Sequence, residues 1–256
     1  AAILVPHLRD GVPGRFDITG GLGLTAGLVL FLVGISKGND WGWATGRTVG
    51  AIVAGIVVLV LWAVFELRQR EPLVDLRTSA ARPVLMTNIA AVAVGFGMMA
   101  ASVVMPQLVQ LPEVTGYGMG LSVLQAGLLM APAGFAMMLA AVFSTRVIAQ
   151  FGAKAALMVG ATVLGAGYVL SFFLMDAPWQ LLVSSCVCLA GVGIGYAAMP
   201  TVILDSVPGK EAASAVGLNA LMRSIGTTLA AAVMATVLTS DSTSFGAFVL
   251  PTASAF

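Results

Sequence analysis

Charged residues are scarce in this chain, and their scarcity excludes an ordinary water-soluble domain. Only 9% of the 256 residues are Asp, Glu, Lys or Arg, whereas soluble domains carry about 25%. Hydrophobic residues make up 59% of the sequence, and the mean hydropathy is +1.02. So few charges could not cover a water-facing surface. The formal net charge of +1 also gives no reason to expect nucleic acid as a partner.

Cysteine and histidine are nearly absent, which argues against a disulfide framework, a metal centre and an enzyme. Cys186 and Cys188 lie two positions apart in an apolar run, where a helix would point them away from each other. We expect both to be small buried hydrophobes. The single histidine is His7, and no nucleophile, metal-ligand or phosphate-binding pattern accompanies it. The sequence therefore predicts a non-enzymatic protein without a metal or a cofactor.

Long apolar runs are what the chain does have, and their length is that of membrane-spanning helices. A helix needs about 20 apolar residues to cross the hydrocarbon core of a bilayer. The runs show no alternation of polar and apolar residues, so we expect no strands. The fold class predicted is an all-α membrane protein with seven transmembrane helices. The seven runs are 18–36, 46–65, 84–110, 119–143, 155–175, 178–204 and 212–239.

The basic residues predict which side of the membrane each connector faces. Nine Lys and Arg residues lie in one alternating set of connectors, and only two lie in the other set. Basic residues are retained on the cytoplasmic side of a membrane. The connectors predicted to be cytoplasmic are 9–17, 66–83, 144–154 and 205–211, and the opposite set is predicted to lie outside.

Pairs of glycines four residues apart recur within the apolar runs. Such pairs form a side-chain-free strip that lets two helix backbones approach closely in lipid. We therefore expect helix contacts at Gly23 and Gly27, at Gly46 and Gly50, and at Gly191 and Gly195.

Few polar side chains interrupt the predicted spans, and these are the candidates for a substrate cavity. Uncharged amides hydrogen-bond varied ligands, and methionine is an adaptable lining for a promiscuous site. The alternative is that the amides bond helices to each other or contact the wet membrane interface. No Asp or Glu lies deep in a run, because Glu66, Asp205 and Glu211 all fall at the ends of runs. The candidate cavity residues are Asn88, Met98, Ser102, Gln107, Gln110, Gln125, Asn219 and Arg223.

Arg223 is the one permanent cation inside a predicted span. An arginine at mid-helix costs about 2.5–3.5 kcal/mol on insertion, which the apolar residues of 212–239 roughly offset at about 0.3–0.6 kcal/mol each. The segment is therefore a poor candidate for facing lipid alone. Asn219, Arg223 and Gly226 share one helix stripe, which we expect to face a polar cavity or the cytoplasmic mouth. The alternative is that Arg223 snorkels to the cytoplasmic headgroups.

Three stretches of the chain resemble one family of transporters. Residues 105–134, "MPQLVQLPEVTGYGMGLSVLQAGLLMAPAG", resemble a helix that ends in Gln, a loop with Gly, and a following "AGL…P" helix. Residues 214–233, "SAVGLNALMRSIGTTLAAAV", resemble a G-L-N-x-x-x-R-x-x-G helix. Residues 15–43 resemble the extra helix that only fourteen-helix members insert between their halves. Together these features are similar to the major facilitator superfamily, and within it to the drug/proton antiporters of the EmrB/QacA type.

The resemblance implies how the chain is divided. Residues 1–17 would be the end of a preceding helix and a cytoplasmic loop, and 18–65 two inserted linker helices. Residues 66–83 would be a cytoplasmic loop, and 84–256 the C-terminal transporter bundle, truncated before its last helix. Both ends begin or stop within apolar stubs. We therefore expect them to be cuts through a larger, fourteen-helix protein whose N-terminal half is missing.

One family loop is only partly present. Members often carry a G-R-x-x-D-R-x-G-x-R pattern at the position of "TRVIAQFGAK", residues 145–154. Arg146, Gly152 and Lys154 match this pattern, but Ala149 stands at the acidic position and Gln150 at the next arginine. A cytoplasmic latch built on that acid is therefore not expected in this part of the protein.

The function that the resemblance implies is proton-driven efflux of drugs or other small molecules by alternating access. The energy source would be the proton gradient, and the partners an amphipathic substrate, protons, the lipid bilayer and the missing N-terminal half. Because no acid lies deep in a run, we expect the coupling carboxylates in that half, with Arg223 as a fixed cation beside them. The expected location is a bacterial inner (plasma) membrane. A solute symporter or importer of the same fold, and a non-transporting membrane scaffold, remain the alternatives.

Overall fold

The structure is a computed structural model that describes residues 17–69, 72–113, 118–175, 177–240, 242–245 and 248–251. Seven helices within this part are long and apolar enough to span a membrane. The prediction of seven transmembrane helices is therefore confirmed. The elements in chain order are α1 Ile18–Ser36, α2 Gly38–Trp41, α3 Gly46–Glu66, α4 Leu76–Ser79, α5 Arg82–Gln110, α6 Val123–Phe151, α7 Ala153–Phe173, α8 Pro178–Leu204, α9 Ala212–Ser240, β1 Ser242–Phe245 and β2 Phe248–Pro251.

Local sequence signals explain where several helices begin. The Asp17 side chain caps α1 by accepting a hydrogen bond from the Gly20 N–H at 2.8 Å. Thr45 caps α3, and Ser122 forms a capping box with Gln125 at the start of α6. Pro178 is the first residue of α8, where its missing N–H costs no helical hydrogen bond.

One expectation about element boundaries was wrong. The loop predicted at 144–154 is reduced to Gly152, because residues 144–151 contain no glycine or proline and α6 continues to Phe151. Gly152 has a φ of +84°, a conformation that favours glycine and that separates α6 from α7. The seven runs contain no strand, as expected; after the last of them, β1 and β2 pair as a short antiparallel hairpin. Their β-branched and aromatic residues suit an extended backbone, and the hairpin lies outside the seven spans.

Five of the long helices form one bundle, and the other two form a separate hairpin. In the bundle α8 packs against α5, α6 and α7, and α5 packs along α9. α8 is the most enclosed span, with 56% of its apolar window buried, whereas only 11% of the α6 window is buried. α1 and α3 pair with each other, and α1 joins the bundle through a smaller contact with α9.

Glycine sets the distance between the paired helices. A Cβ atom at Gly95 of α5 would lie 2.5 Å from the Arg223 carbonyl oxygen of α9, and one at Gly226 would overlap the Val92 carbonyl oxygen of α5. Among the predicted glycine pairs, the contacts at Gly23 and Gly27, and at Gly191 and Gly195, are confirmed. The prediction for Gly46 and Gly50 is wrong, because their Cβ positions have nothing within 4 Å in the described structure.

A hydrogen bond to Glu66 holds the connector after α3 against the α1–α3 hairpin. The Glu66 side chain is only 1% exposed, and its Oε1 atom accepts a hydrogen bond from the Val74 N–H at 2.8 Å. Val74 packs in a small core with Trp62 of α3 and Leu218 of α9. The α1–α3 hairpin therefore contacts the same helix that carries Arg223.

Placing a methyl group at Gly226 should separate α5 from α9. Because the added Cβ would meet the backbone carbonyl of Val92, Gly226→Ala is expected to destabilise the protein by about 1–3 kcal/mol, the usual cost of overpacking. The measurement is the midpoint of thermal unfolding of the purified protein in detergent. Gly134→Ala is the matched control, because its Cβ would meet nothing within 4 Å. An unchanged midpoint for Gly226→Ala would contradict the close packing.

Candidate functional site

Arg223 lies against a tyrosine of a neighbouring helix. Its guanidinium carbon sits 4.7 Å from the centre of the Tyr196 ring on α8, which is the geometry of a cation–π contact. The Tyr196 hydroxyl donates a hydrogen bond to the Met98 sulfur on α5 at 3.1 Å. Arg223, Tyr196 and Met98, which we call the arginine cluster, therefore join α9, α8 and α5.

Backbone packing decides where the guanidinium can go. The Arg223 backbone lies directly against Gly95 of α5, so the base of the side chain is held inside the bundle. From there the side chain extends to Tyr196 on α8. Tyr196 itself packs against a buried core that includes Ala91, Val94, Val192 and Met199. The geometry favours an inward position for the cation over snorkelling to the headgroups.

The cation of the arginine cluster has no ionic partner in the described part of the chain. The one ion pair found there joins Lys37 to Asp40 near the predicted outer surface. Arg223 is half-buried, so it is only partly hydrated. A guanidinium in that position attracts an anionic group, and it cannot exchange its proton at working pH. The cluster is therefore suited to bind or stabilise a negative charge and unsuited to carry a proton itself.

Two predicted cavity residues pair with each other between α5 and α9. The Asn219 side-chain amide donates to the Asn88 side-chain oxygen at 3.0 Å and to the Thr87 carbonyl at 3.4 Å. Both asparagines are buried, with exposures of 1% and 6%. The stripe of Asn219 and Gly226 thus faces α5, contrary to our expectation that it would face a cavity or the cytoplasmic mouth. A small residue and a short amide at these positions let the two helices approach closely and still satisfy their polar groups.

The other predicted cavity residues lie in the C-terminal half of α5 or at the start of α6, and no hydrogen bond to the Arg223 side chain is found for them among the described residues. The Ser102 hydroxyl donates to the Met98 carbonyl at 2.8 Å, and the Gln110 amide donates to the Pro106 carbonyl at 2.8 Å. Gln125 accepts from the Ser122 N–H at 2.9 Å, which makes it part of the cap of α6. Gln107 is exposed on α5. Their role in substrate binding stays a prediction.

The residues of the partial loop motif lie on both sides of Gly152, which separates α6 from α7. Arg146 is exposed on the last turns of α6, Gly152 forms the break, and Lys154 is exposed at the start of α7. Gly152 and Lys154 line a groove together with Arg82.

Sequence reasoning missed the two tyrosines that bond between helices. Tyr196 supports Arg223, and the Tyr168 hydroxyl on α7 donates to the Gly97 carbonyl on α5. A tyrosine within an apolar run could have predicted these contacts. Its hydroxyl needs a hydrogen-bond partner when it is buried, and in a span that partner lies on another helix or on the backbone. Only the amides, the serine and the arginine were counted as polar groups.

Comparisons with known proteins identify relatives over most of the chain. A family model described as "Major Facilitator Superfamily" matches residues 2–251. The "Probable actinorhodin transporter" of Streptomyces coelicolor is 27% identical over 249 residues, which cover 93% of this chain and 42% of the relative. The "Multidrug resistance protein Stp" of Mycobacterium tuberculosis is 24% identical over 225 residues, covering 88% of this chain and 41% of the relative. The "Tetracenomycin C resistance and export protein" of Streptomyces glaucescens is 25% identical over 241 residues, covering 93% and 44%. The chain thus spans well under half the length of these curated relatives.

The Asn88–Asn219 pair should be measurable as a coupling between α5 and α9. Asn219→Leu leaves the Asn88 oxygen without its partner inside the protein, so we expect destabilisation. In a double-mutant cycle with Asn88→Leu, the coupling should be about 0.6–1.7 kcal/mol, as for other hydrogen bonds between membrane helices. Reversible unfolding in mixed micelles measures it. Ser224→Leu on the exposed side of α9 is the control and should not couple to Asn88→Leu; a coupling near zero for the asparagines would refute the pairing.

Proposed function

This chain belongs to the Major Facilitator Superfamily, and we propose that it is part of a fourteen-helix drug/proton antiporter of the EmrB/QacA type. Its family and its seven apolar spans make it a multi-pass membrane protein, and they support a role in transport and not in catalysis. With bacterial drug and antibiotic exporters as relatives, it is a protein of the inner (plasma) membrane.

In this proposal residues 18–65 are the inserted linker helices and residues 84–256 belong to the C-terminal bundle. The separate pairing of α1 with α3 supports an inserted hairpin, because the two helices contact the bundle mainly through α9. The packing within the bundle supports two related helix triplets, α5 to α7 and a second one of which the described structure contains the first two helices, α8 and α9. The first helix of one triplet, α5, packs along α9, and the first helix of the other, α8, packs along α6. Paired repeats of this kind are typical of transporter folds.

The transport reaction we propose is efflux of amphipathic small molecules, among them antibiotics, in exchange for protons. The relatives' names support it, since they describe an antibiotic transporter, a multidrug resistance protein and an antibiotic resistance and export protein. Alternating access would come from rocking of this bundle against the half of the protein that the chain does not contain.

Arg223 is, in our proposal, the fixed cation of the transport cycle. The observation that carries this role is a half-buried guanidinium, held over Tyr196, with no carboxylate in ion-pair reach within the described residues. Proton coupling requires a titratable group in the membrane. We propose that this group is a carboxylate of the N-terminal half, that it pairs with Arg223 when deprotonated, and that protonation releases it. Because electrostatic attraction is strong where water is scarce, such a pair would link protonation to the approach of the two bundles.

A symporter or importer of the same fold would differ in the direction of net transport. Inside-out membrane vesicles of a strain that expresses the full-length protein separate these alternatives. An imposed proton gradient, acidic in the lumen, should drive a fluorescent cationic dye into the lumen, and a protonophore should abolish this uptake. Uptake without a gradient, or none with it, would contradict the antiporter, and total inactivity toward small molecules would favour a scaffold.

Removing the charge of Arg223 should abolish proton-driven efflux. In the full-length protein we expect Arg223→Ala and Arg223→Gln to lower initial efflux rates at least about tenfold, because the coupling carboxylate would lose its partner. The measurement is dye efflux from energised cells with protein levels matched by immunoblot.

Two further variants separate charge from structure. Arg223→Lys keeps the cation and should retain part of the activity, and Arg47→Gln removes one positive charge at the start of α3 and should leave efflux unchanged. Tyr196→Phe keeps the ring beneath the guanidinium and should be milder than Tyr196→Leu, which removes it. Wild-type efflux by Arg223→Ala would eliminate the proposed role.

A further inference from the structure

A groove at one end of the bundle brings together the ends of three helices. α5 begins at Arg82, α7 begins at Ala153 and α8 ends at Leu204, so all three ends lie on the side predicted to be cytoplasmic. The groove has a volume of about 760 Å³. This volume lies within the range of about 300–1,000 Å³ that is usual for small-molecule pockets. We call it the basic groove; its main lining residues are Arg82, Met86, Lys154, Leu157, Met158 and Asp205.

The basic groove lies at the depth of lipid headgroups. α5 has 29 residues, which at 1.5 Å per residue is roughly 43 Å of helix. The hydrocarbon core of a bilayer is only about 30 Å thick, so the ends of α5 extend into the polar headgroup region. Arg82 is the first residue of that helix. The part of the groove that Arg82 lines is therefore expected at the level of the phosphates of the surrounding leaflet.

The two cations of the groove outnumber its single acid and form no ion pair in the described structure. Neither Arg82 nor Lys154 forms an ion pair within the part of the chain that the structure describes, although Asp205 lines the same groove. The hydroxyl groups in the lining are already used, because Thr87 donates to the Pro83 carbonyl and Ser206 to the Val202 carbonyl. What the groove offers an anion is thus a guanidinium and an ammonium, and both bind phosphate oxygens well.

The walls of the groove are apolar and open to the surroundings. Met86 is 51% exposed and Met158 is 57% exposed, so no helix of the described part of the chain covers the side chains that flank the cations. Methionine is unbranched and flexible, and it adapts to an acyl chain. A ligand that joins a phosphate to hydrocarbon matches this arrangement, whereas a free phosphate ion would leave the walls unused.

We propose that the basic groove binds an anionic phospholipid of the cytoplasmic leaflet. Arg82 and Lys154 hold the phosphate, and an acyl chain runs along Met86 and Met158. Basic pockets between transmembrane helices are a known mode of headgroup recognition. The site is independent of the arginine cluster, and lipid binding does not require the protein to transport a drug.

Native mass spectrometry of the full-length protein, offered equal amounts of phosphatidylglycerol and phosphatidylcholine, tests the proposal. We expect the wild type to retain phosphatidylglycerol preferentially. The double variant Arg82→Gln with Lys154→Gln should reduce retained phosphatidylglycerol by about tenfold. Arg47→Gln with Lys210→Gln removes the same charge outside the groove and should leave retention unchanged. An equal loss in both double variants would overturn the proposal, since it would show general surface attraction.

Two further measurements distinguish loss of the site from misfolding of the variants, and a bound lipid from bound free phosphate. Asp205→Asn removes the one acid of the groove, so it should raise phosphatidylglycerol retention severalfold; no rise, or a fall, would count against the site. Inorganic phosphate at high concentration should fail to displace the lipid, because it lacks the hydrocarbon part. Displacement by phosphate alone would show that the groove binds free phosphate and would overturn the assignment to a lipid.

Discussion

The close approach of α5 and α9 is the constraint on which the candidate site depends. Gly95 and Gly226 carry no side chains where the two helices cross, so the backbone of one lies against the backbone of the other. At that separation Asn219 reaches Asn88, and the two buried amides satisfy each other. A buried polar group without a partner is expensive in a membrane, so a shift of either helix by one turn would be opposed by both the glycine contacts and the amides.

The arginine cluster follows from this register. With its backbone fixed against α5, Arg223 reaches Tyr196 of α8, whose hydroxyl is anchored to Met98. The cation is thereby held inside the bundle without an acid beside it in the described structure. A fixed, unpaired cation of this kind responds to any negative charge brought near it. That property makes it useful to a protein that we propose to work by moving one bundle against another.

The α1–α3 hairpin packs against the same helix, α9. Trp62 of α3 packs with Leu218 of α9, and Met222, the residue before Arg223, lies against that core. Glu66 binds the connector that follows α3 through the Val74 N–H. Movement of α9 would therefore disturb the packing of α1 and α3 against it. The α1–α3 hairpin is thus positioned to restrain the helix that carries Arg223.

The sequence by itself determined the membrane class, the seven spans and most of their ends. A transmembrane helix satisfies its own backbone hydrogen bonds, so the length of an apolar run is enough to define it. The error at the boundary between α6 and α7 arose because polar residues suggested a loop where the backbone stays helical. α6 passes through the polar residues before Gly152, because the breaker and not the polarity ends that helix. Outside the seven spans, Ser242–Phe245 and Phe248–Pro251 pair as two antiparallel strands that no periodicity in the sequence predicted.

Only the tertiary structure decided which polar residues meet. The sequence identified Asn88, Asn219 and Arg223 as polar residues within predicted spans. It did not predict that the asparagines would pair or that the arginine would contact Tyr196. Both outcomes depend on where α5, α8 and α9 cross, and that geometry is set by backbone contacts between residues far apart in the chain. An apolar run reports how long a helix is; the neighbour that each face meets is fixed only when the helices pack.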